Sequence, residues 1–192
     1  MKENFEKSLE KILKYEGGFS NHPLDKGGAT NQGITLATLQ EFFADYDYGD
    51  LDGDGDVDVD DVMLLDTPEE AAPIYKKYYW DRMKLDTILS GVDFLMFDFG
   101  VNSGPKNAVK ILQRALNREG FNLTVDGVLG SATVGYVQGR DNYETQGLID
   151  NMLLERRNFY NRLVAINPSQ SVFLKGWLNR LKRVSEEVKE FC

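Results

Sequence analysis

Glu16 and Asp25, with eight residues between them in the stretch EGGFSNHPLDKGGATNQGIT at 16–35, are the side chains whose types and spacing best suit chemistry. A glutamate in the last turn of a helix meets the negative pole of the helix dipole, which disfavours the anion and raises the pKa. A raised carboxyl pKa is what a general acid needs. The turn Pro23-Leu24-Asp25-Lys26-Gly27-Gly28 can bring the aspartate back towards the glutamate. Two carboxyl groups on one cleft suit cleavage of a glycosidic bond. One protonates the leaving oxygen while the other activates water or supports positive charge on the sugar. Thr30, Asn31 and Thr35 add neutral groups suited to holding a water or a sugar hydroxyl. The competing interpretation is a solvated helix end, a turn aspartate and glycines that serve backbone geometry alone.

These residues need elements to hold them. Phe5, Leu9, Ile12 and Leu13 recur at intervals of three and four, which predicts a helix over 4–15 that ends at Gly17-Gly18. Thr35 can cap a helix from Leu36 to about Ala44, with Leu39, Phe42 and Phe43 facing inward. Thr67-Pro68-Glu69-Glu70 reads as a capping box with proline at the first helical position, and Pro73 should bend or interrupt the helix that follows. VDFLMFDFGVN at 92–102 is apolar nearly all round and predicts a buried central helix, within which Asp98 must be paired or functional. Backbone donors and polar neighbours near Asn102 are the expected partners of Asp98. Ser103-Gly104-Pro105 breaks the chain before a helix with an Ala108, Ile111, Leu112, Ala115 and Leu116 stripe. Long helices are expected from about 144 to 165 and from about 171 to 188, with Pro168 between them.

The twenty-residue block closely resembles the N-terminal signature of glycoside hydrolase family 108, bacterial and prophage N-acetylmuramidases with a lysozyme-like helical fold. Tyr78-Tyr79-Trp80, the segment Phe97–Gly104 and the segment Phe173–Arg180 extend the likeness along most of the chain. The resemblance implies that Glu16 is the catalytic glutamate. The Glu, eight residues, Asp arrangement also looks like that of phage endolysins, in which a threonine follows after five more residues. Here four residues separate Asp25 from Thr30. Val125-Asp126-Gly127-Val128-Leu129-Gly130-Ser131-Ala132-Thr133 resembles the DG-x-x-G-x-x-T element of peptidoglycan-binding modules, although Asp-Gly and a serine cap are also generic turn chemistry.

Asp50 begins DLDGDGDVDVDD, which matches the twelve-residue calcium loop of an EF-hand or dockerin. Asp50, Asp52 and Asp54 fall at positions one, three and five. Gly55 supplies the turn at six, Asp56 the carbonyl at seven, Val57 the apolar residue at eight, and Asp58 a ligand through water at nine. Asp61 stands at twelve in place of the usual glutamate. The expected role of calcium is structural, to order a long connection without taking part in chemistry.

Composition narrows the remaining classes. The net charge is −9, yet nine aspartates lie within 45–61, and without them 22 acidic residues face 22 basic ones. The acidity is thus local, and a partly anionic glycan remains a possible partner. No basic, aromatic-laced stripe points to nucleic acid, and no run is apolar enough for membrane insertion. The N-terminal helix lacks the pattern of a secretory signal, so action on the cell wall would follow release from the bacterial cytoplasm by another route. His22 is the single histidine and Cys192 the single cysteine, which excludes a histidine zinc site and an internal disulfide. Trp177 and Arg180 suit a sugar subsite through stacking and hydrogen bonding, with the ordinary core role as the alternative.

The sequence therefore predicts an all-α, lysozyme-like protein. Its catalytic region spans 1–104 with the acidic insertion at 45–61, and a helical, peptidoglycan-binding-like region at 105–192 packs with it as one unit. The expected reaction is hydrolysis of the β-1,4 bond between N-acetylmuramic acid and N-acetylglucosamine. Retention against inversion and the oligomeric state stay open. The rivals are a lytic transglycosylase, a non-catalytic peptidoglycan-binding or secretion-assisting protein, and a calcium-responsive adaptor.

Overall fold

The structure is a computed structural model that describes residues 2–21 and 28–191. Asp25, His22, the rest of the Pro-Leu-Asp turn and Cys192 lie outside the described residues. The chain is mostly helical, as its periodicities predict, and forms two compact units, Phe5–Tyr78 and Tyr79–Cys192 with Met1–Asn4.

In the first unit, α1 (Lys2–Leu13) buries Phe5, Leu9, Ile12 and Leu13, the stripe its spacing predicts. Beyond Leu13 the backbone tightens: Tyr15 N–H donates to Ile12 O and Glu16 N–H to Leu13 O, each at 3.1 Å. A feature without a sequence expectation follows. β1 (Thr30–Asn31) and β2 (Ile34–Thr35) form an antiparallel hairpin around Gln32-Gly33, whose φ angles of 47° and 74° fit the left-handed turn that short hairpins prefer. Strands of two residues are too short to leave an alternating pattern.

Thr35 then caps α2 (Leu36–Tyr46), its hydroxyl accepting from Thr38 N–H at 3.2 Å, and α2 buries Leu39 and Phe42 while Phe43 is half-buried. The acidic segment leads into α3 (Val59–Leu64), and α4 (Pro68–Tyr75) starts at its proline with Glu70 accepting from Thr67 N–H at 2.8 Å. Pro73 does not interrupt α4. The helix runs past it and widens into a π-helix at Lys76–Asp81, after the point where proline removes a backbone donor.

The second unit centres on α5 (Val92–Ser103), which is buried from Val92 to Gly100 and packs against α6 (Pro105–Arg118) and α8 (Asn142–Ile166). Trp80 packs edge-on against Phe97 at 5.3 Å and donates to Asp86 Oδ1 at 3.0 Å. α9 (Ser171–Glu187) lies along α8. Between α6 and α7 (Ser131–Val137), the Asp126-Gly127 turn docks on Gln113, which accepts from Gly127 N–H at 2.9 Å and donates to Asp126 Oδ1 at 2.8 Å. Gly127 has φ +80°, and a Cβ there would stand 2.8 Å from Lys106 O, so packing alone demands this glycine.

Asp93, near the start of α5, is fully buried and accepts from Asn4 Nδ2 at 2.8 Å and Phe94 N–H at 2.7 Å. Burial outweighs these bonds and pushes its pKa up to about 6. The folded state therefore holds this proton more tightly than the unfolded chain. Its contribution is full below the ordinary value of 3.8 and is lost as pH rises through about 6. Relative to wild type, Asp93→Asn should gain on the order of 2 kcal/mol between about pH 4 and pH 7. Urea denaturation at both ends reads the difference, and a constant difference between the two proteins would contradict it.

Candidate active site

Glu16 is half-buried at the wall of a cavity of about 540 Å³ in the first unit. The loop that carries it is tied to the hairpin at two points, and α4 holds the hairpin at a third. Ser20 and Thr30 exchange backbone hydrogen bonds at 2.8 Å, Gln32 N–H donates to Gly17 O at 3.0 Å, and the Tyr75 hydroxyl donates to Gln32 O at 2.8 Å. The hairpin turn is therefore the device that sets Glu16. A Cβ on Gly33 would stand 2.8 Å from the Tyr75 hydroxyl and 3.4 Å from Glu16 Oε2. Gly33→Ala should accordingly cost about 1–3 kcal/mol and lower turnover, through strain at positive φ and displacement of both side chains. Parallel melting curves and rate measurements check this; wild-type values in both would exclude the turn as a positioning element.

Of the sequence-predicted neighbours, Asn31 joins Glu16 on the cavity wall and is buried, donating to Met63 O at 3.3 Å. Thr30 is engaged in β1 with its hydroxyl 3.4 Å from Gly28 O, and the Thr35 side chain caps α2. The cavity also holds groups that sequence reasoning did not single out. Glu10 and Asp66 add carboxylates, and Phe19 and Met63 add exposed apolar surface of the kind a pyranose face packs on. Gln32 lines it too, and its Oε1 is buried without a hydrogen-bond partner among the described residues. Gln32 sits beside a glycine in a tight turn, which was the available signal. Asp66 is brought in by tertiary structure alone.

The other predicted sugar-site residues belong to the second unit. Asn102 Oδ1 accepts from the Tyr160 hydroxyl at 2.8 Å, and Tyr160 stacks on Trp177 with ring centres 5.3 Å apart. Arg180 engages Asp98, its Nε 2.9 Å from Oδ1. Arg156 reaches the other oxygen of Asp98 at 2.6 Å, with its flat face 4.8 Å from the Phe99 ring. Asp98 is thus paired, but by two arginines from α8 and α9 and not by the backbone and polar groups expected near Asn102. Burial alone would raise the Asp98 pKa; the two guanidinium groups reverse that and hold it below the usual carboxylate range.

In the acidic loop two left-handed glycines turn their backbone donors onto one carboxylate. Gly53 and Gly55 have φ +78° and +101°, and their N–H groups donate to the two oxygens of Asp50 at 2.7 and 3.0 Å. Val57 is buried, and its carbonyl accepts from Gln40 Nε2 at 2.8 Å. Asp58 caps α3, while Asp61, 1% exposed, accepts from Leu51 N–H at 2.6 Å and Asp58 N–H at 2.8 Å. Carboxylate oxygens of Asp50, Asp52 and Asp54 lie within 4.8 Å of one another, as do those of Asp56, Asp58 and Asp61. Repulsion from Asp54 is the largest cause of a raised pKa at Asp56. An all-oxygen, anionic donor set of this kind fits a hard cation such as calcium.

The family model described as Glycosyl hydrolase 108 matches residues 9–104, and the one described as Predicted Peptidoglycan domain matches residues 107–182. These two segments lie on either side of Pro105-Lys106, whereas the compact units divide after Tyr78. Among solved structures, the chain is similar to that of SagA from Brucella abortus at 32% identity and a TM-score of 0.72, over 100% of this chain and 97% of that one. A comparison with curated proteins returns no match.

Proposed function

Because the chain belongs to the glycosyl hydrolase 108 family and also carries a segment matching a peptidoglycan domain, we propose that it is an N-acetylmuramidase acting on the β-1,4 bond between N-acetylmuramic acid and N-acetylglucosamine. The observation that carries this reading is Glu16 itself, a carboxyl group on the wall of an open cavity within the family-matched segment, set by a hairpin turn that admits only glycine at Gly33. Glu16 donates the proton to the leaving oxygen. Asp25 supplies the second carboxylate, which positions water or supports the oxocarbenium-like transition state. Thr30, Asn31 and Thr35 are the proposed sugar-binding residues of the first unit, and Asn102, Trp177 and Arg180 are, separately, those of the second. The substrate lies in the cell wall. Turbidity clearing of purified sacculi tests the assignment: wild type clears them, and Glu16→Gln folds but does not. Equal clearing by both proteins would remove Glu16 from the chemistry.

Calcium is the proposed structural ion of the acidic loop, held by Asp50, Asp52, Asp54, Asp58 and Asp61 and by the backbone of Asp56. When bound it offsets the carboxylate repulsion and ties α2 to α3. At a hundredfold excess over its dissociation constant it should add about 2.7 kcal/mol. The Tm should rise by roughly 5–10 °C. A chelator should reverse the rise, and Asp50→Asn should blunt it. An identical Tm with calcium and with chelator would exclude the loop as a calcium site.

A further inference from the structure

The second unit contains a cavity of about 660 Å³, within the roughly 300–1,000 Å³ of small-molecule sites. Its lining shares no residue with the Glu16 cavity. Three aromatic rings face it. Phe121 and Tyr136 stack at 4.2 Å with their planes 24° apart, and Tyr143, in the first turn of α8, is 88% exposed. Arg140 braces the stack. This side chain donates from Nε to Tyr136 O at 2.7 Å, pairs with Glu119 at 2.6 Å and lies 5.8 Å from the Phe121 ring centre. The platform is thereby pre-organised, as recognition of a rigid ring requires.

Three glycines on the same wall add an independent observation. Gly135 lies inside α7 and Gly147 inside α8, where glycine is a poor helix former, and Gly139 has φ +78° between them. A Cβ added at any of the three meets nothing within 4 Å. Packing does not explain the two helical glycines, whereas a flat wall open to a ligand does.

Charge decides the ligand class. Arg140 and Glu119 neutralise each other, and Glu144 and Asp150 leave the cavity negative, so it repels the anionic stem peptides of peptidoglycan. Gln138 and Asn151 bring neutral planar amides to the wall, a type that binds hydroxyl and acetamido groups, and Thr87 O and Arg118 Nε fix their orientation at 3.2 and 3.3 Å. Resting on the peptidoglycan reading above, we propose that this cavity is a glycan subsite that takes an uncharged N-acetylated hexosamine ring, with Tyr136 and Tyr143 as the stacking faces.

Amide NMR of the full chain carrying Glu16→Gln, titrated with the tetramer of N-acetylglucosamine, tests the site directly. Saturable shifts are expected at the amides of Gly135, Gly139 and Gly147. Gly147→Leu, which fills the cavity, and Tyr143→Ala, which adds no bulk, should each weaken binding at those amides by about tenfold or more. The proposal is overturned by an absence of shifts there, by saturation at the same sugar concentration in both variants, or by a stem tripeptide saturating the site in place of the sugar. Failure of the catalytic reading would be seen elsewhere, as sacculus clearing that persists in Glu16→Gln.

Discussion

Asp98→Asn is expected to destabilise the fold by about 3–5 kcal/mol, because it removes the buried anion that the Arg156 and Arg180 guanidinium groups share. The Asp98 side chain is 2% exposed and the Arg156 side chain 3%, with 17% for Arg180, so water has little access to replace the lost charge at Arg156. Arg156 also keeps a terminal nitrogen buried without a hydrogen-bond partner among the described residues, which leaves it dependent on the ion pair. The sign of the pH effect is opposite to that of Asp93. The lowered pKa of Asp98 stabilises the fold above the ordinary carboxylate value and loses that contribution as pH falls through the folded value. Urea denaturation near neutral pH measures the loss. A change below about 1 kcal/mol would show that the triad is not an energetic centre of α5, α8 and α9.

Glu16→Gln should lower turnover by a factor of about 10² to 10⁴, the range that a positioned proton donor contributes. Glutamine keeps the size and hydrogen-bonding reach of glutamate but has no proton of suitable acidity to give. The substitution lies outside α1 on a half-buried side chain, so stability should change by about 0.5 kcal/mol or less. A loss of rate together with an unchanged Tm separates chemistry from folding. Gly33→Ala, by contrast, should move both quantities, because it displaces Glu16 by straining the turn that holds it.

Local signals explain what was legible in the sequence. The uniform apolarity of α5, the Thr35 cap and the Pro105 start each depend on residues within one helix, and all three appear where their patterns place them. The turn expected at Gly55 was legible for the same reason, since a glycine marks it locally, and Gly55 has φ +101°. What was not legible depends on distant residues. Asp98 demanded a partner, but Arg156 and Arg180 lie on helices far along the chain. Asp66 enters the Glu16 cavity because Met63 meets Asn31 across the fold, a contact that no spacing rule predicts. The hairpin that sets Glu16 escaped because each strand has two residues.

Mass spectrometry of the soluble products released from purified peptidoglycan by wild type and by Glu16→Gln tests the central claim most directly. Muropeptides with reducing N-acetylmuramic acid ends from wild type alone are the predicted result. Anhydro-muramyl ends, or the same reducing products from Glu16→Gln, would contradict hydrolysis by Glu16.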